Sequence, residues 1–322
     1  MSKRKTAAKL LLGAAACAGA YILIGEAITE IVISKNTLKI DELKNKAKAK
    51  KAPAPAPAAA PDAAPAFDAG EWWKSVNPVN VSVINREGDA IYAERIEAKS
   101  PSDVWVLCIH GYTSSARGMA LYAHEFYEMG YNVLLPHMRA HSGSDHRYIG
   151  MGWLDRFDMI DWIFYILEQN RDAKIVLHGV SMGGGTVMMT TGECLPHNVK
   201  CAIEDCGYSD VWNEFKYVLK NDYKLPAFPV LYAGSLVSRY KCGYDFKLAS
   251  SVDQLRKSNT PTLFIHGDKD DFVPFSMLDV NYDAAVCEKE KVVVSGAKHA
   301  NAHIVNPELY WGCVKRFIDK YI

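Results

Sequence analysis

Neither sign of charge prevails in this chain, in which 37 Lys and Arg face 37 Asp and Glu. Without an overall field there is no electrostatic case for nucleic acid or an acidic surface as a partner. No CxxC pair occurs among the eight cysteines, which removes the usual sign of a disulfide framework. Cys108, Cys201 and Cys206 sit in or beside apolar, strand-like runs and read as small buried hydrophobes. Cysteine usage therefore leaves the compartment open. No segment repeats. What the chain does have is 322 residues with 49% hydrophobic content, ample for one large α/β domain with a substantial core.

The amino terminus differs from the rest. Ser2-Lys3-Arg4-Lys5 and Lys9 precede an apolar run from Leu10 to Gly25, which continues past Glu26 and Glu30 to Ile33. The stretch reaches the ~20 residues that a membrane-spanning helix needs, with its two carboxylates four apart on one helical face. The expectation is an uncleaved transmembrane anchor over residues 1–34. A cleaved signal peptide is the rival, because Ala18-Gly19-Ala20 resembles a processing site. Residues 35–66 read as a linker, first Lys-rich and then the Ala/Pro run APAPAPAAAPDAAPA, an extended spacer. Lysines flank the apolar run on both sides, so the charge rule is divided. The spacer tips the expectation toward a single-pass cell-membrane protein whose body faces outward.

From residue 67 onward, periodicity predicts strands alternating with helices. Val79–Ile84 and Ala90–Ile96 flank the turn sequence NREGD and suit a hairpin. Strands follow at Val104–His110, Asn132–Leu135, Lys174–His178, Val199–Glu204, Thr262–His266 and Val292–Val294. Helical spacing occupies Gly118–Met129, Trp153–Glu168 and Gly184–Thr191. The alternation predicts an α/β fold, a mostly parallel central sheet with helices on both faces and the antiparallel hairpin at one edge. In such sheets ligands sit at the carboxyl ends of the strands.

One of those ends carries Gly179-Val180-Ser181-Met182-Gly183, between a predicted strand and a predicted helix. That is the setting of the G-x-S-x-G turn, in which glycines leave room for a serine forced onto a sharp bend. A serine hydroxyl is a weak nucleophile, so a base and an acid should follow it. Asp268, Asp270 and Asp271 compete within LFIHGDKDDFVP, and His299 and His303 follow the last predicted strand. His137, His141, Asp145 and His146 are metal-ligand types, but they show no recognised ligand spacing.

His266-Gly267-x-x-Asp270-x-x-Val273-Pro274 resembles the acid-bearing loop of α/β-hydrolase-fold serine hydrolases. WLDRFDMIDWI, LHGVSMGGGTVMM and IEDCGYSDVWNEF resemble a group of membrane-anchored bacterial esterase or peptidase-like members, over roughly residues 75 to 322. The resemblance implies Ser181 as nucleophile, His299 as base and Asp270 as the acid that orients it. It further implies an oxyanion hole formed by the backbone N–H groups of Met182 and Tyr112, the latter in the His110-Gly111-x sequence. Met138 and Ala140 depart from the family's Asp-x-Arg-Gly-His-Gly-x-Ser pattern, which bears on substrate more than on the triad.

The expected organisation is thus an α/β-hydrolase domain over 67–322 with a small helical cap inserted at about 207–258. Aromatic residues crowd that insertion, and Tyr208 and Trp212 are its candidates for lining a substrate pocket. The expected activity is cleavage of carboxylic esters through an acyl-enzyme, with a small-molecule ester or acyl compound as partner and no cofactor or metal. A peptidase or acyltransferase on the same triad is the alternative, and a non-catalytic membrane-tethered binding protein is a third possibility.

Overall fold

The computed structural model describes residues 3–35, 37 and 67–322. The predicted linker at 35–66 lies almost wholly outside the described residues. In chain order the strands are β1 (Val79–Ile84), β2 (Ala90–Ile96), β3 (Val104–Ile109), β4 (Asn132–Pro136), β5 (Lys174–Val180), β6 (Val199–Asp205), β7 (Thr262–Gly267) and β8 (Lys289–Val294). The described helices are α1 (Lys3–Val32), α2 (Ala69–Val76), α3 (Ala120–Glu128), α4 (Asp155–Gln169), α5 (Met182–Thr191), α6 (Val211–Asn221), α7 (Val230–Lys241), α8 (Ser251–Leu255), α9 (Ser276–Ala284), α10 (Ala302–Val305) and α11 (Pro307–Asp319).

The strands form one eight-stranded sheet in the order β1-β2-β4-β3-β5-β6-β7-β8. β1 and β2 are antiparallel at the edge, β2 meets β4 antiparallel, and β4 through β8 are parallel. The hairpin forms because Gly88 takes a φ of +89° while the Asn85 side chain accepts from the Glu87 and Asp89 amides at 3.0 and 2.9 Å. Both faces of the central strands are covered. Trp105, Leu107, Ile109, Ile175 and Leu177 pack into one core, and Val106, Cys108, Val176, Cys201 and Ile203 into the other. That division is the period of two that strand geometry imposes. The cysteines at 108, 201 and 206 are buried and unpaired, in keeping with a packing role.

The expected transmembrane helix is overturned. Among the described residues no helix is long and apolar enough to cross a membrane. The second half of α1 instead packs on α7 of the cap. A Cβ on Gly25 would lie 2.4 Å from the Ala233 carbonyl oxygen, and one on Gly234 would lie 2.7 Å from Ile28 Cγ2, so each glycine admits the other helix. The two carboxylates that interrupt the apolar run find partners on the domain. Glu26 pairs with Lys241, and Glu30 pairs with Arg147 at 2.8 Å and accepts from the Tyr148 hydroxyl at 3.2 Å. Beyond α1, Ile33 is fully buried in the first core and Ser34 makes a β-bridge to Tyr148. Gly25, Ile28 and Ile33 of the apolar stretch are thus in contact with the domain.

Gly19 and Gly25 provide a paired test of this docking. Gly19 is exposed with nothing near its missing Cβ, so Gly19→Ala should stabilise the helix by about 1 kcal/mol. Gly25→Ala should lower the melting temperature instead, because overpacking of this kind costs roughly 1–3 kcal/mol. Thermal melts of the two variants that moved in the same direction would contradict the docked helix.

Candidate active site

Ser181 stands between β5 and α5 at φ +59° and ψ −117°, a conformation that side chains other than glycine rarely adopt. The surroundings hold it there. Its amide donates to the Asp205 carbonyl at the end of β6 at 2.8 Å. A Cβ on Gly179 would lie 2.2 Å from the Gly183 carbonyl oxygen, and one on Gly183 would lie 2.1 Å from that of Ile109. The glycines therefore let backbone meet backbone where β5 turns into α5 beneath β3. Gly111, just past β3, approaches from the other side, where a Cβ would meet the Val180 oxygen at 3.1 Å and Ser181 Cβ at 3.2 Å.

His299 and Asp270 converge on this serine. Ser181 Oγ and His299 Nε2 are 2.8 Å apart, and His299 Nδ1 and Asp270 Oδ2 are 2.8 Å apart. An ionised carboxylate only accepts, so Nδ1–H donates to Asp270 and Nε2 is left to accept the serine proton. The other carboxylate oxygen accepts from the Phe272 and Val273 amides at 2.9 and 3.0 Å, an arrangement made by the loop after β7. Burial alone would raise the Asp270 carboxyl. The hydrogen bonds from His266 and His299 outweigh it and hold the group well below the usual carboxylate range. Phe272 lies against the His299 ring at 4.9 Å between centroids. Of the competing residues, Asp268 accepts from Gly296 N–H and the Ser295 hydroxyl, which ties two loops together, and His303 sits in α10 with its Nδ1 on the Tyr122 hydroxyl.

The loop bearing Tyr112 is braced by two buried histidines. His110 Nδ1 donates to the Gly111 carbonyl at 2.8 Å, leaving Nε2 to accept the Met138 amide at 3.2 Å. His141 Nδ1 donates to the Arg139 carbonyl and Nε2 accepts the Thr113 amide at 3.1 Å, which secures Thr113 at φ +58°. Burial lowers both, His141 to about 4 and His110 well below its ordinary value with the charge of His141 adding to the effect, so each remains a neutral acceptor. His141 was one of the possible metal ligands, and both of its nitrogens serve the backbone. Arg139 anchors the same loop through a two-point pair with Asp158 at 2.7 and 2.8 Å. Ala140 takes φ +62°, a glycine-like conformation at the position where the family pattern carries glycine.

Met182 opens α5 and presents the first amide of that helix, a group without an acceptor inside the helix. Tyr112 is half-buried, and its hydroxyl donates to the Val32 carbonyl at the end of α1. Tyr208 is less available than its sequence position implies. It is 2% exposed, its ring lies against Gly185, and its hydroxyl is taken up by the Met151 carbonyl at 3.0 Å. Trp212 is half-buried on the cap, edge-on to Tyr232 at 4.8 Å and beneath Lys247.

Several polar groups around the site are not legible as such in the sequence. His266 Nε2 is 3.2 Å from the Asp270 carboxylate, so the acid receives a second imidazole. Asp205 accepts the Tyr310 hydroxyl at 3.0 Å, and Tyr310 is 3.1 Å from His178 Nε2. Glu214 in α6 is buried as well, and burial pushes it up to about 8, with the charge of Asp270 adding to the effect. Cys206 Sγ lies within 4.8 Å of ligand atoms of Asp270 and His299. Three such donors are of a kind that could hold a soft cation, but binding one would withdraw His299 from Ser181. His178, Asp205, Cys206 and His266 are ordinary strand-end residues, and only the register of β5, β6 and β7 brings them together.

A family described as alpha/beta hydrolase fold matches residues 104–225. The uncharacterised YqkD protein of Bacillus subtilis (strain 168) is 26% identical over 215 residues, spanning 66% of this chain and 70% of that protein. The Pyrococcus furiosus esterase Pf2001 superposes with a TM-score of 0.62 at 22% identity, covering 77% of this chain and 92% of the esterase. An acetyl xylan esterase from Paenibacillus sp. R4 gives 0.61 at 18% identity, covering 88% and 94%. Together with the strand order and the serine turn at the end of β5, these likenesses establish that the chain has the α/β-hydrolase fold.

Proposed function

We propose that the protein is a serine hydrolase that cleaves carboxylic esters through an acyl-enzyme. The observation that carries this reading is the unbroken line from Ser181 Oγ through His299 to Asp270, 2.8 Å at each step. His299 Nε2 takes the Ser181 proton as Oγ attacks the ester carbonyl, and Asp270 keeps the imidazole in the tautomer that can do so. The protonated imidazole then passes its proton to the departing alcohol. Water, deprotonated by the same nitrogen, attacks the acyl-enzyme and releases the acid.

Negative charge collects on the former carbonyl oxygen in both halves of the cycle. The amides of Met182 and Tyr112 are the donors assigned to it, one at the positive end of α5 and one in the loop that Gly111 brings against Ser181. Loss of one such donor typically lowers kcat by ~10²–10³. The esterase neighbours supply an analogy at the level of the fold, and the side-chain geometry supplies the chemistry.

Ser181→Ala should reduce turnover of a short-chain nitrophenyl ester by at least ~10⁴ and abolish labelling by a fluorophosphonate, with the melting temperature retained. Turnover at the wild-type rate in that variant would remove Ser181 from the mechanism. The acid has a signature in stability as well. Since the folded state lowers the Asp270 pKa, its ionised form contributes stability above the unfolded carboxyl value of ~3.9, and the contribution is lost as pH falls toward the folded value. Denaturation of wild type and Asp270→Asn between pH 7 and 3.5 should therefore show a deficit in the variant that is full near neutrality and narrows below about pH 4. A deficit independent of pH would show that the carboxylate's charge is not what the loop uses.

A further inference from the structure

Glu214 is a buried acid that the triad chemistry leaves unused. It lies on α6 and is 3% exposed, yet neither carboxylate oxygen meets a hydrogen-bond partner among the described residues. Its place is fixed by its neighbours on the helix. Asp210 caps the first turn through the Asn213 amide at 2.7 Å. Tyr217, one turn beyond Glu214 on the same face, reaches the Asp271 carbonyl with its hydroxyl at 3.4 Å. That face of α6 therefore rests on the loop carrying Asp270. The charged groups that act on Glu214 are Asp270, Asp210 and Asp222, every one an acid.

Burying a carboxyl without a partner is costly, and burying it beside a second carboxylate more so. Nothing in the packing recovers that cost, which is the mark of a group held for something that arrives. At rest the burden is reduced by protonation, since burial and Asp270 together push Glu214 up to about 8. An incoming cation would ionise it and complete the missing pair. Tyr217 shares Glu214's face of α6 and reaches the loop that carries Asp270. Lys247, whose ammonium lies over the Trp212 ring at 4.5 Å, does not reach Glu214.

We infer that Glu214 is a specificity-determining residue that receives a primary ammonium group carried by the substrate, so that the esters preferred by this site are cationic. The inference rests on the hydrolase reading above and deepens it. It does not alter the triad, because Glu214 touches none of the reacting atoms. Its contribution lies in holding one end of the substrate while Ser181 meets the carbonyl.

The test uses the full chain and ester pairs matched in shape, with and without an ammonium group. Ethyl 4-aminobutanoate is set against ethyl pentanoate for charge on the acyl side, and 3-aminopropyl butyrate against butyl butyrate for charge on the alcohol side. At pH 7, kcat/KM for the aminated member of at least one pair should exceed its match by tenfold or more. Glu214→Gln should bring that ratio to about one, through a rise in KM for the aminated ester. No preference for an ammonium group in either pair, or a preference that survives Glu214→Gln, would overturn the proposal. Fluorophosphonate labelling runs in parallel and separates the two readings. If the wild type is not labelled, the hydrolase reading itself fails and this one falls with it. If the wild type is labelled but the variant is not, the variant has lost its assembled site, and the wild-type ratios alone decide.

Discussion

The backbone at Ser181 is the constraint on which the rest of the site depends. A serine at φ +59° costs on the order of 1–3 kcal/mol and persists only where its surroundings leave no alternative. Here the surroundings are three strands. β5 delivers the residue, β3 contributes the Ile109 carbonyl that excludes a side chain at Gly183, and β6 contributes the Asp205 carbonyl that holds the Ser181 amide. Since β5 lies between β3 and β6 in the sheet, the loops following all three strands open at the same place. The oxyanion loop and the acidic end of β6 reach the serine because of strand order, and the short-range sequence around each of them matters less.

Polarity near the serine is divided by burial. His110, His141 and His178 are driven toward the neutral form by loss of solvent, His141 to about 4 and His178 to about 3. A neutral imidazole with one nitrogen committed as a donor has its other nitrogen defined as an acceptor, so His110 and His141 act as fixed struts for backbone, while His178 meets the Tyr310 hydroxyl. His299 differs in having a carboxylate on Nδ1, a hydroxyl on Nε2 and a side chain about one-fifth open to solvent. The same residue type thus performs support or proton transfer according to what lies on its two nitrogens.

The sequence made legible whatever is local or periodic. The edge hairpin, all eight strands and the turn at Ser181 follow from alternation, turn residues and glycine spacing, and the strand positions agree to within a few residues. The serine was legible from its turn, whereas the strand ends left Asp268, Asp270 and Asp271, and then His299 and His303, in competition, and the family resemblance singled out Asp270 and His299. Groups whose meaning depends on register were not legible. His266 reads as an ordinary strand-end residue until β7 places it on the far side of Asp270, and nothing in the local sequence of the cap insertion shows that α6 buries Glu214. Tyr208 is a further case, because nearness in sequence to β6 does not tell that its ring packs against the Gly185 backbone.

The amino-terminal helix shows why apolar length is an ambiguous signal. Lipid and the apolar face of a cap helix present the same solvent to a side chain, so hydropathy cannot tell them apart. Glu26 and Glu30 can. Within hydrocarbon, two carboxylates one turn apart would need partners that lipid does not provide. On this domain they face Lys241 and Arg147, cations that project from α7 and from the loop before α4. The small residues in that half of the helix have a matching explanation, since Gly25 and Gly234 permit a close crossing that larger side chains would block. Docked there, the chain continues into Ile33 and Ser34, and its Val32 carbonyl meets the Tyr112 hydroxyl. The segment that reads as an anchor to something outside the domain is in fact attached to the loop beside Ser181, and its removal would be felt first at Tyr112.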